Sequence, residues 1–183
     1  MTVDDRTRSD QFEWVAARWD SAALGDSTGF VALGALLRAH TVVTAAVDRV
    51  LRGRDLSRTG YLVLVTLLLA DDGTRSHGRL ARDLFVHPTT ITLVTDQLVK
   101  DGLVRRAPDP GDRRATLSTI TAKGKRLVAR ATGDLAAAGF GFGDDVDHLG
   151  AVLDTLRPYG ANPPAPVPHT RPRTRRLKAA EEA

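Results

Sequence analysis

The sequence predicts a mainly α-helical fold carrying one small β-hairpin, and three observations predict it. Two short segments with apolar stripes follow each other across a tight turn between Leu80 and Leu98. A basic turn rich in proline and glycine at residues 107–114 separates two short strand-like runs. Longer helical patterns flank this centre on both sides.

Taken in order, residues 1–10 are polar and read as a disordered start, after which Phe12, Val15 and Trp19 lie on one helical face with Trp14 beside it. Both tryptophans are expected to be packed, against the fold or a partner, or to line a small-molecule pocket. A long helix is expected from Thr28 to Leu51, where Leu33, Leu36, Leu37, His40, Val43, Val47, Val50 and Leu51 form a broad apolar face. His40 interrupts that face, either as a hydrogen-bonded interior histidine or as a ligand contact. Gly53 and Asp55 close the helix, and Ser57 is placed to cap the next. Tyr61 to Leu69 is almost continuously apolar, which fits a buried helix or a buried strand; the cap and the length favour a helix.

Asp71-Asp72-Gly73 is a turn, and Leu80, Ala81 and Leu84 then mark a short helix, with Arg79 and Arg82 either on a solvated face or against a nucleic-acid backbone. Pro88 suits the first position of a second helix, since the amide it lacks would be unpaired there. In that helix Ile91, Val94 and Leu98 form the inner stripe, leaving Thr89, Thr90, Thr92, Thr95, Gln97 and Lys100 outside. Asp101-Gly102 stops it. Leu103 to Arg106 is one strand, Ala107 to Arg114 is a turn too proline-rich for sheet, and Ala115 to Thr121 is the return strand. Thr121 caps a helix running toward Ala138, Phe140-Gly141-Phe142-Gly143 breaks it, and Asp144 starts a last helix carrying Val146, Leu149, Val152, Leu153 and Leu156. From Pro158 onward, repeated prolines and basic residues predict a disordered tail.

Two helices joined by a tight turn, then a hairpin with Arg113 and Arg114 at its tip, make a winged helix-turn-helix. The second helix of such a lobe can enter a major groove while the tip reaches phosphates or a minor groove. The run Asp109-Pro110-Gly111-Asp112-Arg113-Arg114, followed by Leu117, Thr121 and Gly124, resembles the wing signature of the multiple antibiotic resistance regulator (MarR) family. Leu80-Ala81, Pro88 to Thr92, and Leu98 with Gly102-Leu103-Val104 match that family's helix pair in order and spacing, and looser similarity extends from Phe30 to Leu156. The resemblance implies a single domain at 11–158, with helices in 11–55 and 121–158 pairing two subunits, a DNA-binding lobe at 56–120, and the tail at 159–183 outside it. A twofold homodimer would place two recognition helices about one DNA turn apart. Some relatives carry an extra N-terminal helix with a tryptophan near a urate-type site. The acid and the arginine of that subgroup fall here at Leu62 and Val94, so urate is not expected.

Charge and composition narrow the function classes. Net charge is +4, yet residues 76–130 carry eleven basic and five acidic side chains. A lobe so biased suits phosphate neutralisation. The absence of cysteine removes disulfides, thiolate metal sites and thiol redox sensing. No apolar run approaches the ~18 residues of a membrane span, so a cytoplasmic protein with no membrane partner is expected. Asp71, Asp72, His77, His87 and His148 show no metal-ligand spacing, and no nucleophile-and-base set or phosphate-cradling glycine loop is visible; no cofactor and no enzyme activity are expected.

The expected DNA contacts are Thr89, Thr90, Thr92 and Gln97 on the second helix, Arg113 and Arg114 on the wing, and Lys123 beside it, with Asp112 orienting Arg114 through a charge-assisted pair. Trp14, Trp19 and His40 are the candidates for ligand contact. Where many relatives have an arginine near the middle of the recognition helix, this chain has Leu93, which moves expected specificity toward the wing and DNA shape. The resulting expectation is a dimeric regulator binding specific double-stranded DNA, a repressor released by a small-molecule effector. The alternative is a winged-helix module that docks a protein and lacks specific DNA binding.

Overall fold

The computed structural model describes residues 12–19, 21–22, 24–112, 115–143 and 148–161. The chain divides into two compact units, Met1–Val146 and Asp147–Ala183. In the first, a short helix α1 (residues 12–19) precedes the long α2 (Thr28–Arg52) and then α3 (Arg58–Leu68). Strand β1 (Thr74–Ser76), helices α4 (His77–Asp83) and α5 (Pro88–Lys100), strands β2 (Val104–Pro108) and β3 (Thr116–Ile120), and helix α6 (Ala122–Ala137) follow. A single 3-10 turn at Gly139–Gly141 ends this series, and the second unit contributes α7 (Leu149–Ala161).

Capping explains where the helices begin. The Ser57 hydroxyl accepts the Gly60 amide at 3.0 Å, which resolves the apolar run after it as helix: Tyr61, Val63, Leu64 and Leu67 are all buried, as expected of an element covered on several sides. Thr121 caps α6 in the same way through the Gly124 amide, and Pro88 occupies the first position of α5. Gly53 ends α2, its amide reaching the carbonyls of Leu51 and Val50.

The sheet is three-stranded and antiparallel, in the order β1-β3-β2. Sequence reading missed β1, because three residues are too few to show alternation; the Thr74 and Thr119 hydroxyls meet across its pairing at 2.9 Å. β2 is also longer than expected. Ala107 and Pro108 remain in register opposite Leu117 and Thr116, and a proline is tolerated there because β2 is an edge strand.

The core gathers Leu51, Leu56, Val63, Leu64, Leu67, Leu80, Ile91, Leu98, Val104, Ile120, Val128 and Leu135, drawn from all five helices between α2 and α6 and from β2 and β3. Each fully buried leucine contributes about 1.5–3 kcal/mol. Two glycines let backbones meet. A Cβ on Gly124 would lie 2.3 Å from the Leu103 carbonyl oxygen, and one on Gly141, which has φ +84°, would lie 2.8 Å from that of Val43. Polar ties fix α6 further: Tyr61 and Thr132 share a hydroxyl bond of 3.0 Å, and Arg54 Nε donates to Asp134 at 2.6 Å. That hydrogen bond holds the Asp134 carboxyl below the usual carboxylate range.

Several expectations need correction. Trp19 packs on Phe30, ring centroids 4.6 Å apart, but Trp14 is 61% exposed beneath the Arg18 guanidinium, since it sits on the outer side of so short a helix. His40 is exposed and not interior, because only the C-terminal half of α2 reaches the core; Leu33, Leu36 and Leu37 also remain exposed. α2 itself is long and apolar enough in composition to cross a membrane, the one such helix among the described residues. This departs from the expectation that no apolar stretch approaches that length, because polar residues are scattered singly through the helix. Finally, Pro158 lies inside α7, and helix continues to Ala161: one proline removes a single backbone bond near the end of the element. The expected helix start at Asp144 and the tail beyond Ala161 lie outside the described residues.

Candidate nucleic-acid interface

Helices α4 and α5 are joined by a turn in which Phe85 takes φ +53°, a left-handed conformation that reverses the chain at once. The Val86 amide then reaches the Ala81 carbonyl at 3.0 Å and fixes the exit. Leu80, Ala81, Ile91 and Leu98 are buried, so the inner faces of both helices are committed to the core. Thr89, Thr92, Leu93, Gln97 and Lys100 are exposed along the outer face of α5, with Thr90 half-buried at its edge. This is the surface the sequence designates, with one error. Thr95 belongs inside: it is fully buried, and its hydroxyl donates to the Ile91 carbonyl at 2.7 Å, because it stands one turn beyond Ile91 and so shares the inner face with Ile91 and Leu98.

The outer-face groups are held in place locally. His87 Nδ1 accepts the Thr89 amide at 3.2 Å and stands 3.0 Å from its hydroxyl, which makes His87 itself the N-cap of α5. Thr92 donates to the Pro88 carbonyl at 3.3 Å, and the Gln97 amide donates to the Asp101 carboxylate at 3.0 Å. Lys123 Nζ donates to the Asp101 carbonyl at 2.7 Å, so it closes the C-terminus of α5. On the wing, the Gly111 amide donates to the Asp109 carboxylate at 2.8 Å, and the Asp112 carbonyl accepts the Ala115 amide, also at 2.8 Å. Arg113 and Arg114 lie outside the described residues, and with them the proposed pairing of Asp112 to Arg114.

A polar centre that sequence reading missed ties α5 to the sheet. His77 Nε2 lies 2.9 Å from the Ser118 hydroxyl of β3 and 3.3 Å from that of Thr95 on α5, and both hydroxyl residues are fully buried. The Thr95 hydrogen is committed to a backbone carbonyl, so toward His77 it accepts. Beside this group Arg106 of β2 donates to the Asp96 carboxylate of α5. The available signal was a histidine opening a helix while a threonine and a serine sit at inward positions of other elements, and spacing along the chain cannot bring those together.

Burial pushes the His77 imidazole below its ordinary value of 6.5, the Arg106 charge adds to that, and Asp96 opposes it. The unfolded chain therefore takes up this proton first as pH falls, and the native state loses stability from about pH 6.5 downward until the folded value is passed. Thermal melts between pH 5 and 8 should show this loss, with a shallower slope in His77→Gln, which retains an amide for Ser118.

The candidates for ligand contact do not converge on one cavity. Trp19 stacks on Phe30, Trp14 faces outward and His40 is exposed on α2. The Trp19 indole nitrogen is buried without a hydrogen-bond partner among the described residues. A separate open cleft of about 280 Å³ is lined by Asp48, Arg52, Leu56, Ser57, Arg58 and Thr59, none of which was singled out as a ligand contact. Among the described residues no group of three or more acidic or histidine side chains is arranged to hold a metal.

Residues 56–116 match the model of the MarR family, a span running from the α3 cap to the start of β3. The chain is similar to Sco5413, a MarR family transcriptional regulator from Streptomyces coelicolor, with 36% identity and a TM-score of 0.67 over 73% of this chain and 93% of that one. It is also similar to CouR from Rhodococcus jostii RHA1, solved bound to p-coumaroyl-CoA, with 25% identity and a TM-score of 0.59 over 68% of this chain and 88% of that one. Among curated relatives, the HTH-type transcriptional regulator PrsX of Escherichia coli is 30% identical over 96 residues, which is 52% of this chain and 58% of that protein. The match thus spans little more than half of that relative. With a winged helix-turn-helix lobe of the expected order and a relative aligned over nearly its whole length, the chain belongs to the MarR family.

Proposed function

We propose that this protein is a homodimeric transcriptional regulator that binds specific double-stranded DNA, acting as a repressor that a small-molecule effector releases. The observation that carries the reading is the outer face of α5: a solvent-facing row from Thr89 to Lys100 on a helix whose inner face is locked into the core, within a segment where basic side chains outnumber acidic ones eleven to five. In this reading residues 56–120 form the DNA-binding lobe, and the helices within 11–55 and 121–158 form the dimerisation region of a cytoplasmic protein. The exposed leucines of α2 support the pairing. Similarity to a MarR family transcriptional regulator and to CouR, which was solved bound to p-coumaroyl-CoA, supports effector control. Release then follows from population shift: an effector favouring a spacing between recognition helices that no longer fits two half-sites lowers affinity by its differential binding to the two states.

Fluorescence anisotropy against DNA from upstream of the protein's own gene and against scrambled DNA, at two salt concentrations, tests this. Selective binding is expected, and Arg113→Ala/Arg114→Ala should weaken it while lowering the salt slope by about 1 for each phosphate no longer neutralised. Selective binding that is indifferent to the double substitution removes the wing from the interface. Binding that is absent, or equal on both DNAs, favours the protein-docking module instead.

A further inference from the structure

The centre of the α5 outer face is aliphatic. Leu93 is 66% exposed, more than any other apolar residue of this helix, and stands one turn from Thr89 on one side and from Gln97 on the other. The polar groups around it are engaged at home: Thr92 with the Pro88 carbonyl, Thr89 with His87, Gln97 with Asp101, and Asp96 with Arg106. What α5 presents at its middle is therefore a leucine side chain.

A leucine so placed gains little where it stands in water, yet it projects from a basic lobe whose charge complements nucleic acid. Within a major groove, the apolar feature on a base edge is the thymine C5-methyl group. Against guanine or cytosine the same side chain would cover donors and acceptors without replacing their water. We infer that Leu93 is a specificity-determining residue that reads thymine methyl groups in each half-site through apolar contact. This rests on the proposed function, and it returns to the helix a share of the sequence reading that Leu93, in place of a central arginine, moved toward the wing and DNA shape.

The test uses the full chain and duplexes it selects from a random DNA pool. Thymines in a selected site are replaced singly by deoxyuridine, which deletes only the methyl group, and affinity is read by anisotropy. For wild type, at least one position in each half-site should lose about four-fold on methyl removal, the value of one buried carbon. Leu93→Ala should bind the thymine site more weakly and show no further loss with deoxyuridine. That variant should fold, since an exposed helical leucine is exchanged for a better helix former. Leu93→Arg, selected afresh, should shift the preferred base at that position toward guanine. A selected site whose affinity is indifferent to every methyl removal, or a methyl penalty that persists in Leu93→Ala, overturns this inference and leaves the regulator reading standing. Failure to enrich any sequence overturns both.

Discussion

Gly124→Ala lowers the melting temperature by roughly 6–12 °C, the shift expected for about 3 kcal/mol in a chain of this size. The methyl group would be placed 2.3 Å from the Leu103 carbonyl oxygen and 2.9 Å from Ile120 Cγ1. No rotamer relieves the first contact, because a Cβ is fixed by the backbone that carries it and the atom it meets is itself backbone. Leu103 is not free to retreat either: its carbonyl accepts the Thr121 amide at 3.0 Å, and its amide is bonded to the Leu98 carbonyl at 2.8 Å. The first turn of α6 must therefore lift from the start of β2, weakening the Thr121 cap and the packing of Val104 and Ile120. Gly133→Ala is the internal control. It lies in the same helix with nothing among the described residues within 4 Å of its Cβ position, so it should be neutral or more stable by up to about 1 kcal/mol. Equal melting temperatures for the two variants would mean that α6 is not held to β2 as closely as described.

Leu33→Glu/Leu37→Glu yields a folded monomer with DNA affinity reduced roughly 100-fold or more. The two leucines are 53% and 58% exposed in the isolated chain, so exchanging them asks little of its own core. Between two copies of α2 the same change would bury four carboxylates without partners. Losing the second subunit removes the effective concentration that ties one half-site contact to the other, commonly a factor of 10² to 10⁴. Light scattering reads the mass, and anisotropy reads the affinity. If the variant remains a dimer, the N-terminal half of α2 is not the subunit interface.

Local chemistry made much of this fold legible. Ser57, Pro88 and Thr121 marked helix starts, Gly53 and Gly102 marked stops, and the inner stripe of α5 set which side faces out. These signals work because caps, turns and amphipathic faces depend on residues within about a turn of each other. The errors arose where distant chain segments decide. Trp14, Leu33 and His40 could be assigned to an apolar helix face, but whether that face is covered within one subunit depends on what stands opposite it. Thr95 looked like its neighbours Thr92 and Thr89, and only the position of His77 and Ser118 shows why a threonine is inside. The family resemblance supplied the overall lobe and none of this detail.

The bonds joining α5 to β2 directly, and to β3 through His77, also divide the labour of the helix by side. Thr95, Asp96, Ile91 and Leu98 set how it sits against the rest of the lobe, whereas the side chains of Thr89, Thr92 and Gln97 bond only within α5 and its caps and Leu93 is exposed. The lobe is thus modular in the engineering sense. Its outer letters can be rewritten to address different half-sites on an unchanged chassis, while a rewrite of the inner ones would tilt the helix and blur whatever the outer ones spell.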